Sequence, residues 1–104
     1  MSASVQPEII VEISLLPAEA GGRLSPISSG EYRGILNLET QGFSVRWFVP
    51  AASALVPGGR SGVFGVQFLV PGDALQHFPV GQSFTVWEGR TVGTGVVRQI
   101  VANA

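Results

Sequence analysis

The sequence predicts an all-β domain whose six short antiparallel strands close into a barrel. Three observations lead there. Turn signals recur about every ten residues, no segment sustains a 3.6-residue period, and all seven prolines fall at the N-terminus or between predicted strands. Closure removes the exposed edges that an open sheet of six such strands would leave.

The first strand is predicted over about 8–16. Ile9, Val11, Ile13 and Leu15 alternate onto one face, with Glu8, Glu12 and Ser14 on the other. A polar connection, Pro17 to Gly30, carries Gly21-Gly22 and Ser28-Ser29-Gly30. The second strand, about 32–39, sets Tyr32, Leu36 and Leu38 against Arg33, Asn37 and Glu39. Gln41-Gly42 turns the chain into the third, about 43–49, where Phe43, Val45, Trp47 and Val49 oppose Ser44, Arg46 and Phe48. Residues 50–62 connect onward through Pro57-Gly58-Gly59-Arg60-Ser61-Gly62. The fourth strand, about 63–70, is apolar on both faces except at Gly65 and Gln67, and is expected to be central. Pro71-Gly72-Asp73 opens a loop in which Ala74 to Phe78 can form no more than a helical turn. The fifth strand is predicted over about 82–88 and the sixth over about 91–101. Gly93 and Gly95 share a face of the last strand, as a barrel bend or a close backbone approach requires.

A chain of 104 residues is one domain, with residues 1–7 expected to be flexible. Its hydrophobic fraction of 45% and charged fraction of 12% place it among globular proteins and imply some exposed apolar surface. The net charge is -1, and all six basic residues are arginines. Such scattered charge disfavours autonomous RNA or DNA binding, which depends on a clustered basic face. The absence of cysteine excludes disulfides and thiolate metal sites. The N-terminus has no signal-peptide pattern and no apolar run reaches the ~20 residues of a membrane-spanning helix, so a cytoplasmic protein is expected.

Candidate chemistry is sparse. His77 and Asp73 are the only histidine and aspartate, and they share one loop with no nucleophile-elbow pattern beside them. Asp73 at a turn needs no catalytic explanation. Glu8 and Glu12 point the same way along one strand, about 13 Å apart at ~3.3 Å per residue, beyond glycosidase spacing. They read as outward, solvated residues. The segment 57–62 lacks the Gly-Lys-Ser/Thr ending of a phosphate loop, and Gly93-Thr94-Gly95 has no strand-turn-helix context. No cofactor or metal is expected. Phe48 and Trp87 lie opposite the main apolar set and are candidates either for interface anchors or for caps over the barrel end.

Three blocks carry a family resemblance. Residues 11–23, Val-Glu-Ile-Ser-Leu-Leu-Pro-Ala-Glu-Ala-Gly-Gly-Arg, with Ser25-Pro26, Gly30 and Tyr32-Arg33 after them, resemble the first strand and glycine-rich loop of the third, C-terminal domain of elongation factor Tu. Val70-Pro71-Gly72-Asp73 resembles the Pro-Gly-Asp ahead of that family's later strands. Residues 88–97, Glu-Gly-Arg-Thr-Val-Gly-Thr-Gly-Val-Val, resemble its closing strand. Order and spacing are kept over roughly 90 residues. The resemblance implies a six-stranded antiparallel barrel without catalytic residues, here read as a free-standing domain. In the full factor that barrel packs on a GTPase domain, helps hold aminoacyl-tRNA and contacts the nucleotide-exchange factor.

The departures matter too. Leu24 stands where the family loop has a histidine, and Gly34-Ile35 where it has Pro-Gln. The family's Arg-Thr-Thr-Asp-Val-Thr-Gly stretch is missing, and Gly89 alone precedes the final arginine where the family has two glycines. These differences, the net charge and the lack of lysine disfavour tRNA binding. The expectation is a non-enzymatic module that binds another protein through Gly22, Arg23, Tyr32, Arg33, Glu88, Gly89 and Arg90. Arg33 and Arg90 lead because a guanidinium can read a carboxylate bidentately, although both could instead brace loops. A translation-related tRNA-binding domain and a small barrel enzyme are the alternatives; DNA and membrane partners are not expected.

Overall fold

A computed structural model describes residues 7–39 and 41–101. The strands are β1 (Ile9–Leu15), β2 (Gly30–Asn37), β3 (Gly42–Val49), β4 (Gly62–Phe68), β5 (Ser83–Trp87) and β6 (Thr91–Ile100). All neighbours are antiparallel, and the sheet closes in the order β1-β4-β3-β2-β5-β6. β4 therefore lies between β1 and β3, but a closed ring has no central strand, and its Val63 faces outward at 63% exposure. Residues 1–6, to which most of the expected flexible segment belongs, lie outside the described residues. Pro7 is described, and its ring lies against Gly65.

Period-2 alternation fills the barrel. Ile9, Val11, Ile13 and Leu15 of β1 are buried, as are Phe43, Val45, Trp47 and Val49 of β3 and Phe64, Val66 and Phe68 of β4. Phe78 plugs one end. It comes from the connection of helix α1 (Pro71–Ala74) and the 3-10 turn Leu75–His77, and it meets Phe43, Phe68 and Phe84 at ring-centroid distances of 5.2, 5.0 and 6.1 Å. The opposite end is covered by the bridge between Ile27 and Leu55, both buried. No helix is long and apolar enough to cross a membrane among the described residues.

Two bulges bend β6. Its register runs Val86 to Gly93 and then Trp87 to Thr91, so Val92 is an extra residue and also turns inward. Nearer the other end Arg98 is extra, between Gln99 opposite Ile10 and Val97 opposite Val11. Between the bulges β1 comes close: a Cβ on Gly93 would meet the Ser14 carbonyl oxygen at 2.8 Å, and one on Gly95 the Glu12 carbonyl oxygen at 2.7 Å.

Candidate functional site

After β1 the chain makes a 3-10 turn, Ala18–Ala20, and exits through Gly21 at φ 89, a backbone that favours glycine. Gly22 is buried, and a Cβ there would collide with the Leu16 carbonyl oxygen. This places Arg23 over β2, with its guanidinium carbon 6.0 Å from the Tyr32 ring centroid. Its Nη1 pairs with Glu88 Oε2 at 2.5 Å, and its Nε donates to the Ser25 carbonyl at 3.0 Å. The Tyr32 hydroxyl donates to the same Glu88 oxygen. Burial, and then the Glu88 carboxylate, push the Tyr32 phenol well above its ordinary range.

The turn between β5 and β6 supplies the other half of the cluster. Glu88 N–H donates to the Arg90 carbonyl at 2.8 Å around Gly89, whose φ is 80. Arg90 reaches back, donating from Nε to the Gly21 carbonyl at 2.8 Å and from Nη2 to the Gly22 carbonyl at 3.2 Å. Gly22, Arg23, Tyr32, Glu88, Gly89 and Arg90 therefore meet at one end of the barrel. There the hairpin holds the glycine loop from both sides of Gly89. Arg90 braces that loop within the chain.

Arg33 stands apart from this cluster. It projects from the outer wall, directly opposite Arg46 of β3. Its Nε donates to Glu31 at 2.6 Å, its side chain stays 76% exposed, and Arg46 reaches the same carboxylate at 3.9 Å and donates to Gln67 at 2.7 Å. Arg33 comes first among the partners that hold the Glu31 carboxyl below its ordinary range. A groove of about 840 Å³ runs across this wall, lined by Arg33, Ile35, Arg46, Leu69 and Trp87 among others. Phe48 and Trp87 both face outward, at 60% and 37% exposure, and end-capping falls to Phe78 instead. Arg46, Gln67 and Leu69 were not among the sequence-derived candidates. The available signal was Arg46 alternating outward on the strand that pairs with β2.

Both carboxylates of the first strand region find partners on neighbouring strands and loops. Glu8 accepts from the Phe68 N–H at 2.7 Å. Glu12 accepts from Ser61 at 2.5 Å and from Arg98 at 2.9 and 2.6 Å, so both carboxylates are more engaged than their outward positions imply. The Ser61 hydrogen bond, then Arg98, hold the Glu12 carboxyl below its ordinary range. His77 is exposed and stacks on Phe43 at 5.3 Å. Among the described residues no group of three or more His, Cys, Asp or Glu side chains converges to hold a metal ion. No protein-family model and no curated protein matches this chain.

Proposed function

We propose that this chain is a non-enzymatic, cytoplasmic binding module similar to the third domain of elongation factor Tu, and that its partner is another protein. The observation that carries the reading is the outer-wall groove. It combines exposed apolar side chains, Trp87 and Leu69, with a guanidinium, Arg33, that remains largely open to solvent. Aromatic and arginine side chains together are the usual anchors of protein interfaces. The end cluster contributes differently: its arginines are engaged within the chain, so it supports the loop geometry beside the groove.

The test is affinity capture from native cell extract with an N-terminally tagged chain, read by mass spectrometry with and without ribonuclease. A specific protein that survives ribonuclease and is lost with Arg33→Ala is the expected result. Recovery of tRNA or ribosomal material that disappears with ribonuclease would overturn the reading in favour of a translation-related RNA-binding domain.

A further inference from the structure

Two of the six strands form an arm that is only partly sewn into the ring. β2 pairs with β3 along its whole length, from Gly30 opposite Val49 to Asn37 opposite Gly42. The chain entering β2 and the chain leaving β3 then bridge each other. Ile27 N–H donates to the Leu55 carbonyl at 2.8 Å, and Leu55 N–H to the Ile27 carbonyl at 3.0 Å. Backbone attachment of this arm to the other strands stops well short of that bridge. β2 meets β5 through Ile35, Leu36 and Asn37. β3 meets β4 through Val45, Arg46 and Trp47, with Leu69 N–H reaching the Ser44 carbonyl beyond them. Among the described residues, 30–34 of β2 register with β3 alone, and Phe48 and Val49 with β2 alone. The bridged end of the arm, residues 27–34 and 48–55, therefore has a paired strand on neither side.

Side chains hold that end in place. Inside, the Tyr32 ring lies on Trp47 at 4.6 Å between centroids, and Ile27, Val49 and Leu55 are buried over the barrel interior. Outside, one contact spans the gap to the β5–β6 turn. The Tyr32 hydroxyl donates to Glu88, and Glu88 also pairs with Arg23. Arg23 in turn donates to the carbonyls of Ser25 at 3.0 Å and Pro26 at 3.4 Å, at the base of the arm. Trp47 works against closure. It is fully buried, and among the described residues no protein group accepts from its Nε1. A buried donor without an acceptor raises the energy of the closed form, and contact with water relieves it. Exposing Ile27, Val49 and Leu55 opposes opening, so the open form is a minor state and bulk unfolding remains a single transition.

We infer that the bridged end of the β2–β3 arm is a flap, hinged where the arm is paired to β5 and β4, with the contact of Tyr32, Glu88 and Arg23 as its latch. Lifting the flap moves Tyr32 off Trp47 and opens one end of the barrel, while β5, β6, β1 and β4 stay paired to one another. Arg33 and Gly34 on the arm and Trp87 and Glu88 beyond it line the same wall groove, so the motion changes the width of that groove.

Solvent exchange of the Trp47 indole N–H reads the opening directly. It is followed by NMR in a Trp87→Phe chain and set against the slowest backbone amides of β1 and β6, which report global unfolding. After correction for intrinsic rates, the indole is expected to exchange at least ~100-fold faster than those amides. Tyr32→Phe, which removes one hydroxyl, and Glu88→Ala are each expected to widen that ratio by a further ~10-fold. Arg98→Ala, which breaks a surface pair between β6 and β1, is expected to leave the ratio unchanged. An indole that exchanges in step with the slowest amides would overturn the inference, because the flap would then open only with the whole barrel. So would a ratio that either latch variant fails to widen, or that Arg98→Ala widens as far. Should Glu88→Ala not fold, Tyr32→Phe decides alone.

Discussion

Gly95 has room for a hydrogen and little else. A Cβ there would meet Phe84 Cζ at 2.6 Å as well as the Glu12 carbonyl oxygen, and the latter is backbone that cannot step aside. Gly95→Val is expected to destabilise the barrel by about 2–3 kcal/mol in urea unfolding, whereas Gly72→Ala, with nothing within 4 Å, should change it by less than about 0.5 kcal/mol. Tyr32 shows a different sensitivity. Its folded-state pKa is raised, so the neutral phenol is the form the fold prefers. That contribution is fully present below the ordinary tyrosine value near 10 and is lost as pH rises above it towards the folded pKa. Urea midpoints measured from about pH 8 to pH 11 should decline less steeply in Tyr32→Phe than in the parent. Glu12 has the opposite sign. Its carboxyl is held below the ordinary 4.5, so its contribution is present above that value and is lost as pH falls through the folded pKa. Urea midpoints measured from about pH 6 down to about pH 2 should fall less steeply in Glu12→Gln than in the parent.

At the scale of elements, the hairpin between β5 and β6 and the loop after β1 depend on each other. Arg90 satisfies two loop carbonyls, and Glu88 holds Arg23. The pairs lie near the surface, so their loss should be local: Arg90→Ala is expected to speed amide exchange at Ala20 and Gly22 several-fold while lowering global stability by only about 1 kcal/mol. Strand ends were legible to within about two residues, because period-2 alternation and turn residues are local signals. β2 differs most. Ser28-Ser29-Gly30 reads as a turn, yet Gly30 already pairs with Val49, and the strand stops at Asn37 because Leu38 N–H turns back to the Gln41 carbonyl. In both places the pairing, rather than the residue's own preference, sets the boundary.

For the whole molecule, closure joins β1 to β6, with Ile9 opposite Ile100. Contacts so distant in sequence form late and together, which predicts one cooperative transition and refolding on the millisecond-to-second scale. Trp47 is fully buried and Trp87 lies on the wall. In a Trp87→Phe chain, Trp47 fluorescence and far-UV circular dichroism should therefore give coincident unfolding curves; separated curves would reveal an independently opening part of the barrel. The candidate residues were less legible than the strands. Gly22, Arg23, Glu88, Gly89 and Arg90 were gathered from two regions of sequence by resemblance, and no local pattern signals that Arg90 spends its donors on Gly21 and Gly22. Nor does the opposition of Arg33 and Arg46 follow from either strand read alone.

The sequence by itself determined the number of strands, the inward faces of β1, β2 and β3 and the all-β class, since alternation and turn chemistry act over a few neighbouring residues. Only the tertiary structure decided the ring order, the inward turn of Val92 at a bulge, the plugging of one end by Phe78 and the opposition of Arg33 and Arg46. Each of these depends on register between strands far apart in the chain, where the backbone hydrogen bonds of one strand settle where the side chains of another can go.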